Sequence, residues 1–369
     1  MRARDHGVVI GSGTPGRWNA ITDVAGVRVG HRTLIAGDGP LHAGRGPVRT
    51  GVTVILPPGD VSEQPLFAGS HRLNGNGELT GLEWIRESGM LTSPVGLTNT
   101  HSVGVVRDAL IAHEVARRGE AAGHFWALPV VGETWDGLLN DLNGFHVAPQ
   151  HLHEAIAAAG DGPVAEGGVG SGTGMICHGF KGGIGTASRV GGDRDGGFTV
   201  GVLVQANHGR RARLSINGVP VGRHVGPDVV PLPAEPADVS EGSGSIIVVI
   251  ATDAPLLPHQ CQRLAQRAGL GIARTGGVGE HTSGDLFLCF ATGNRGMTPG
   301  ELGRPGRLTV PLTMLSDAYI TPLFDAVVEA TEEAIVNALF SAETMTGRDG
   351  IIAHALPADL VVPLLRDVA

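Results

Sequence analysis

Glycine places the strongest constraint on what this chain can fold into: 59 of its 369 residues are glycine, more than double the roughly 7% background. The glycines follow no triplet period and stand between short Val/Ile/Leu runs. Such a chain turns often and brings backbones into close approach. The runs Val52 to Leu56, Val200 to Val204, Ile246 to Ile250 and Leu286 to Phe290 have strand length and strand composition, and several are expected to be buried on both faces. Helical stretches are predicted over Ser102 to Arg118, His259 to Ala268 and Leu323 to Leu339, the last with Glu329, Glu332 and Glu333 on its solvent side. Buried strands and helices together predict a layered α/β architecture.

Charge narrows the partners. The chain is 41% hydrophobic and 17% charged, with a net charge of −9, which argues against a nucleic-acid footprint. Arg210, Arg211 and Arg213 form its compact basic cluster and are expected on a solvated face or a subunit contact. Lys181 is the only lysine; so strong a preference for arginine looks like a coding bias. Cys177, Cys261 and Cys289 are widely spaced in apolar or Gly-rich surroundings, which suits reduced thiols and a cytoplasmic location. The longest apolar run, Ile246 to Ala251, is far below the ~20 residues of a membrane helix, and no export signal is visible near Met1.

One junction stands apart. Val221 to Gly244 is rich in proline and acids and ends Ser240-Glu241-Gly242-Ser243-Gly244, as an exposed, mobile loop would. Ser245 then opens the apolar run directly. No Gly-x-Ser-x-Gly elbow and no Ser-x-x-Lys dyad occurs, so a serine nucleophile needs another activator. A serine at a chain start carries an α-amine of pKa about 7.7 to 8.0, suited to general-base work near neutrality. Cleavage between Gly244 and Ser245 would create that base, and a residue without a β-carbon leaves room for the attack. A plain Gly-Ser linker has the same local pattern.

Three other segments carry groups that could serve such a nucleophile. Ser283 and Asp285 precede a strand-like run and share a face if extended; a capped turn is the alternative. Asn207, in Gln205-Ala206-Asn207 at a strand end, offers an amide N–H for an oxyanion, or forms an Asn-x-Gly corner. In Gly132-Glu133-Thr134-Trp135-Asp136-Gly137 the acids and an exposed Trp135 would bind a cationic ligand or simply turn the chain.

Taken in order with Ile21-Thr22-Asp23-Val24-Ala25-Gly26-Val27-Arg28-Val29-Gly30-His31 and Gly242-Ser243-Gly244-Ser245-Ile246-Ile247-Val248-Val249-Ile250-Ala251-Thr252-Asp253-Ala254-Pro255, these segments closely resemble the self-processing L-aminopeptidase/D-amidase-esterase and β-aminopeptidase family. The resemblance implies a four-layer α/β/β/α sandwich like that of N-terminal-nucleophile hydrolases, differently connected. It implies a single domain, 1–369, cut into an α chain (1–244) and a β chain (245–369), acting on small peptides or amino-acid amides without a cofactor and assembling as a homotetramer. By the same resemblance Ser245 is nucleophile, Ser283 and Asp285 support it, Asn207 serves the oxyanion and Glu133 binds the substrate ammonium. Trp135 departs from the pattern, standing where some members carry a tyrosine whose hydroxyl can also accept a hydrogen bond.

Rival classes fit less well. An ornithine acetyltransferase-like protein cleaves itself before a threonine. A nucleotide binder would use Gly170-Ser171-Gly172-Thr173-Gly174 or Gly182-Gly183-Ile184-Gly185, but neither completes a phosphate motif, and tight turns supporting the core are expected there. A metal would need His146, His151, His153 and Glu154, of which His151 and His153 diverge on a helix; no metal is expected.

Overall fold

The computed structural model describes residues 1–192, 196–233, 244–298 and 308–366. In chain order the strands are β1 (Arg28–Ala36), β2 (Val48–Leu56), β3 (Leu66–Gly75), β4 (Met90–Leu91), β5 (Val95–Asn99) and β6 (Val130–Thr134). A short hairpin follows, β7 (Ile176–Cys177) and β8 (Phe180–Lys181), and then β9 (Gly183–Val190), β10 (Thr199–Asn207), β11 (Ser245–Thr252) and β12 (Gly284–Ala291). The helices are α1 (Leu82–Ser88), α2 (Val103–Arg118), α3 (Pro149–Ala157), α4 (Val221–His224), α5 (Pro258–Arg274) and α6 (Thr321–Ser341).

Two sheets stack face to face. The smaller has the order β1-β2-β5-β6 and the larger β4-β3-β12-β11-β10-β9. The pairs β5–β6 and β11–β12 are parallel. Val52 and Val54 of the smaller sheet pack outward against Val106 and Leu110 of α2 and Leu152 of α3. Ile55, Val95 and Leu97 point inward and meet Leu203, Ile247, Val249 and Leu288 of the larger sheet. On the far side Ile246, Val248 and Ile250 lie beneath Leu264 and Ala268 of α5 and Ala334 and Ala338 of α6. The layers are therefore α/β/β/α, as expected. The pleat sends alternate residues of β11 into two different cores, which is why its run of apolar residues has no polar alternation.

Glycine makes the layers close. A β-carbon on Gly185 would overlap the carbonyl of Ala334 in α6, and one on Gly30 the carbonyl of Ala155 in α3. In the sequence segment Gly182 to Gly185, Gly185 thus lets the helix approach, while Gly182 and Gly183 lie against the backbone of Ala206 and Gly167. In the β7–β8 hairpin His178 and Gly179 both take positive φ, 50° and 69°, the conformation of a tight two-residue turn.

Three expectations are corrected. Glu332 and Glu333 do not face solvent: both are buried, Glu333 under the N-terminal segment that lies over α6 and Glu332 against α5 and Asn217. Glu333 receives Arg4, Asn19 and Arg189, Glu332 pairs with Arg274, and Glu329 receives the Ser12 and Gly13 N–H groups and Arg189. The stretch after Val221 is not a free loop, since it forms α4 and buries Val221 and Val225; residues 234–243 of it lie outside the described residues. Arg211 is not on a solvated face. Its buried guanidinium sits 3.3 Å from the Phe180 ring centroid and donates to the carbonyls of His178, Gly179, Val225 and Val230, tying 225–230 to the β7–β8 hairpin.

Candidate active site

The site forms where β10 ends and β11 begins. Asn207 and Ser245 are register partners in the antiparallel β10–β11 ladder, and Asp285 of β12 lies beside Ile246 in the parallel ladder. A sheet thus gathers residues that the sequence keeps far apart. Ser245, Asn207, Ser283 and Asp285 are all buried.

The hydroxyl of Ser245 accepts a hydrogen bond from Gly284 N–H at 3.0 Å, which leaves its own proton free to be transferred. Ser283 Oγ donates to Asp285 Oδ1 at 2.6 Å, so these two side chains form one unit rather than a turn cap. Burial pushes the Asp285 carboxyl up to about 6, with the Ser283 hydroxyl pulling against it and Glu280 adding to the rise.

Gly244 is fixed by packing: a β-carbon there would overlap the carbonyl oxygen of Asn207, and would stand 3.2 Å from Asn207 Nδ2. The amide of Asn207 therefore borders the Gly244–Ser245 bond. Its Oδ1 accepts from Ile176 N–H at 2.7 Å and its Nδ2 donates to the Trp135 carbonyl at 2.9 Å. One Nδ2 proton remains for another acceptor.

Glu133, at the end of β6, is buried. Its carboxylate accepts from Glu78 N–H at 2.9 Å and from the Thr100 hydroxyl, and burial raises its pKa. Gly77 lies between it and the N–H donor of Ser245: a β-carbon on Gly77 would lie 3.1 Å from both Glu133 Oε1 and Gly284 Cα. The six residues singled out from the sequence, with Gly244, thus converge. Trp135 is not exposed as expected. It is half-buried, packed over Gly137 and beside Leu138, Leu139 and Ile351, and what it contributes to Asn207 is a backbone carbonyl. Asp136 is fully buried, pushed up to about 6 by burial, and bonded by Asn140.

Sequence reasoning missed the residues that hold these groups: Gly284 as a backbone donor, Gly77, Glu78 and Thr100 around Glu133, and Ile176 behind Asn207. Backbone donors and small residues leave no chemical signature in a sequence. The residues weighed as metal ligands do not converge: His146 bonds Asp141, His151 accepts from Ala148 N–H, and Glu154 pairs with Arg32. Among the described residues the groups of Cys177, His178 and His208 do come within 4.8 Å of one another. All three cysteines are free and buried.

Residues 19–353 match peptidase family S58. A β-aminopeptidase of Burkholderia sp. superposes with a TM-score of 0.91 at 54% identity, covering 100% of this chain and 99% of that one. The L-aminopeptidase D-Ala-esterase/amidase of Ochrobactrum anthropi, described as a variant of the Ntn-hydrolase fold, superposes with a TM-score of 0.88 at 42% identity, covering 100% and 98%. Beta-peptidyl aminopeptidase BapA of Sphingosinicella microcystinivorans is 50% identical over 364 residues, 96% of this chain and 89% of that protein. With a match along nearly its whole length and the fold of these enzymes, the chain belongs to peptidase family S58 and is a peptide hydrolase of the aminopeptidase kind.

Proposed function

We propose that the protein matures by cleaving its own Gly244–Ser245 bond and then uses Ser245 as an N-terminal nucleophile against amino-acyl amides and esters of small peptides. The observation that carries this reading is the position of that bond. It sits at the start of β11, with the Asn207 amide beside Gly244 and the Gly284 N–H on Ser245 Oγ.

In the first reaction Ser245 Oγ attacks the Gly244 carbonyl carbon and the 244–245 C–N bond breaks as the nitrogen takes a proton. The resulting ester is opened by water, leaving a carboxylate on Gly244 and a free amine on Ser245. Before cleavage position 245 has no free amine, and the Ser283–Asp285 unit is the neighbouring proton acceptor. Afterwards the α-amine takes the Oγ proton as substrate is attacked. The remaining Asn207 N–H stabilises the oxyanion, a role worth about 10²–10³ in rate for a single donor. Glu133 binds the substrate's free ammonium, restricting the enzyme to unblocked amino termini.

The β-aminopeptidases of Burkholderia and Sphingosinicella are 54% and 50% identical to this chain, against 42% for the Ochrobactrum enzyme, which favours β-amino-acyl substrates. The mature enzyme is proposed to be a cytoplasmic homotetramer of two-chain protomers, to be checked by light scattering. No helix among the described residues is long and apolar enough to cross a membrane.

Denaturing electrophoresis with N-terminal sequencing tests the reading. Two chains are expected, the smaller beginning Ser245-Ile246, and Ser245→Ala gives one intact, inactive chain. Full activity from an uncut chain overturns it.

A further inference from the structure

We propose that Lys181 is a positioning residue for the Asn207 amide, acting through the single peptide group that joins Met175 to Ile176. The carbonyl of that group accepts from Lys181 Nζ at 2.9 Å, and its N–H donates to Asn207 Oδ1 at 2.7 Å. The chain of bonds therefore runs from ammonium to peptide to amide, and ends where Asn207 Nδ2 donates to the Trp135 carbonyl. A cation on a peptide oxygen draws density from its nitrogen and strengthens the N–H as a donor; bonds in such a chain reinforce one another. That donor also fixes which way the amide faces. Rotating Asn207 would set its NH₂ against the Ile176 N–H and turn the carbonyl oxygen toward the oxyanion.

Lys181 shares the Met175 carbonyl with Gly182 N–H, which also donates to it at 2.9 Å. The lysine is fully buried, and its other two bonds go to the carbonyls of Gly172 and Gly182, at 3.1 and 2.8 Å. Three carbonyls match the three N–H donors of the charged form, while burial pushes the ammonium down to about 7. Among the described residues it has no carboxylate partner. Stability alone does not call for a buried cation without a counter-ion, because an apolar side chain of similar volume avoids the desolvation. The composition has the same meaning. A chain that uses arginine for every other basic side chain keeps its one lysine here, where a compact ammonium fits a cup of three carbonyls and a planar guanidinium does not. A coding bias accounts for the arginines elsewhere, and the carbonyl cup accounts for the one lysine it spares.

The inference rests on the oxyanion role proposed for Asn207, and the tests separate the two. In the full-length protein Lys181→Met is expected to slow maturation and lower kcat about tenfold or more, since loss of a whole oxyanion donor costs about 10²–10³, with KM changed less than about threefold. The Ile176 amide proton, followed with ¹⁵N-isoleucine labelling, moves upfield. Maturation and kcat within twofold of wild type, or a loss confined to KM, overturns the proposal. If Lys181→Met does not fold, Lys181→Gln, which keeps an N–H donor but carries no charge, is judged by the same outcomes. A measurement on wild-type protein needs no variant: a scalar coupling across the hydrogen bond between Ile176 N and Asn207 Cγ is expected, and its absence overturns the relay. Asn207→Ala at wild-type rate refutes the oxyanion role and leaves the amide shift as the test of the relay. An inactive Asn207→Ala beside a fully active Lys181→Met refutes the relay and leaves the oxyanion role standing.

Discussion

Asn207 and Ser245 face each other as the terminal register pair of two antiparallel strands, with Gly244 lying against the Asn207 carbonyl just outside the ladder. The bond proposed to break is therefore held by the same hydrogen-bonded frame that holds the nucleophile and its amide donor. Cutting it would leave β10 and β11 paired, because the ladder continues from Asn207 and Ser245 to Val200 and Thr252.

Gly244→Ala tests that frame. The added methyl would overlap the Asn207 carbonyl oxygen, so the bond must move away from the amide; overpacking of this kind costs about 1–3 kcal/mol. Maturation is expected to slow by about a hundredfold, since an ångström of misplacement can cost that much. Densitometry of precursor and product bands over time measures it, and a normal half-time would separate cleavage from this packing.

The pH dependence of maturation should differ from that of hydrolysis. Asp285 is pushed up to about 6, so the precursor, which has no Ser245 amine, loses cleavage rate along one acid limb centred near 6. Hydrolysis by the mature enzyme also needs an unprotonated amine of pKa about 7.7 to 8.0. Its acid limb therefore begins higher, through that range, and steepens below 6, while loss of the Lys181 proton near 7 takes up to about tenfold from both rates on the alkaline side. Rates of both reactions between pH 5 and 9 check this; a flat maturation profile across pH 6 would remove Asp285 from the reaction.

The same shift sets a sign on stability. Between the ordinary 3.8 and about 6 the folded protein holds a proton on Asp285 that the unfolded chain has released, so this group's contribution is present at low pH and is lost as pH rises through that window. Asp285→Asn is expected to raise the free energy of unfolding, measured by urea titration at pH 8, by on the order of 1 to 3 kcal/mol, while lowering activity. Loss of both stability and activity would instead assign Asp285 to structure.

Glu133→Gln keeps the shape of the side chain and removes its charge. Maturation is expected to proceed normally, whereas KM for a β-amino-acyl p-nitroanilide rises roughly 10- to 100-fold, the size of a lost charge-assisted contact of about 1.5–3 kcal/mol. Steady-state kinetics on the purified, cleaved protein decides it; an unchanged KM excludes the ammonium role.

Arg211 stands apart from the proposed chemistry and holds much of the local order. Arg211→Ala would leave the carbonyls of Gly179, His178 and Val230 without their donor and uncover Phe180. Each buried group left unbonded costs about 1–3 kcal/mol, so a loss of at least about 3 kcal/mol is expected by urea denaturation. A change below about 0.5 kcal/mol, usual for an exposed substitution, would return Arg211 to the surface.

The sequence by itself determined a layered α/β class and named the candidate site residues. Apolar runs such as Ile246 to Ile250 and the periodic stretch from Leu323 must bury their faces in a layered α/β core, and the resemblance implied that the layers number four. Resemblance in four separated segments selected Ser245, Asn207, Ser283, Asp285 and Glu133 from many serines and acids. Tertiary structure decided what those residues touch. A carbonyl, a backbone N–H or an absent β-carbon is the same in every sequence context, so the Gly284 donor, the Gly77 approach to Glu133 and the Ile176 bond to Asn207 became visible only in three dimensions. Long-range contact likewise reversed the assignments of Glu332, Glu333 and Arg211: periodicity describes one helix or turn in isolation, and the N-terminal segment, α5 and residues 221–230 fold over faces that would otherwise meet water. Lys181 shows both limits, a lone lysine that the sequence displayed and a cup of three carbonyls that only the fold could build.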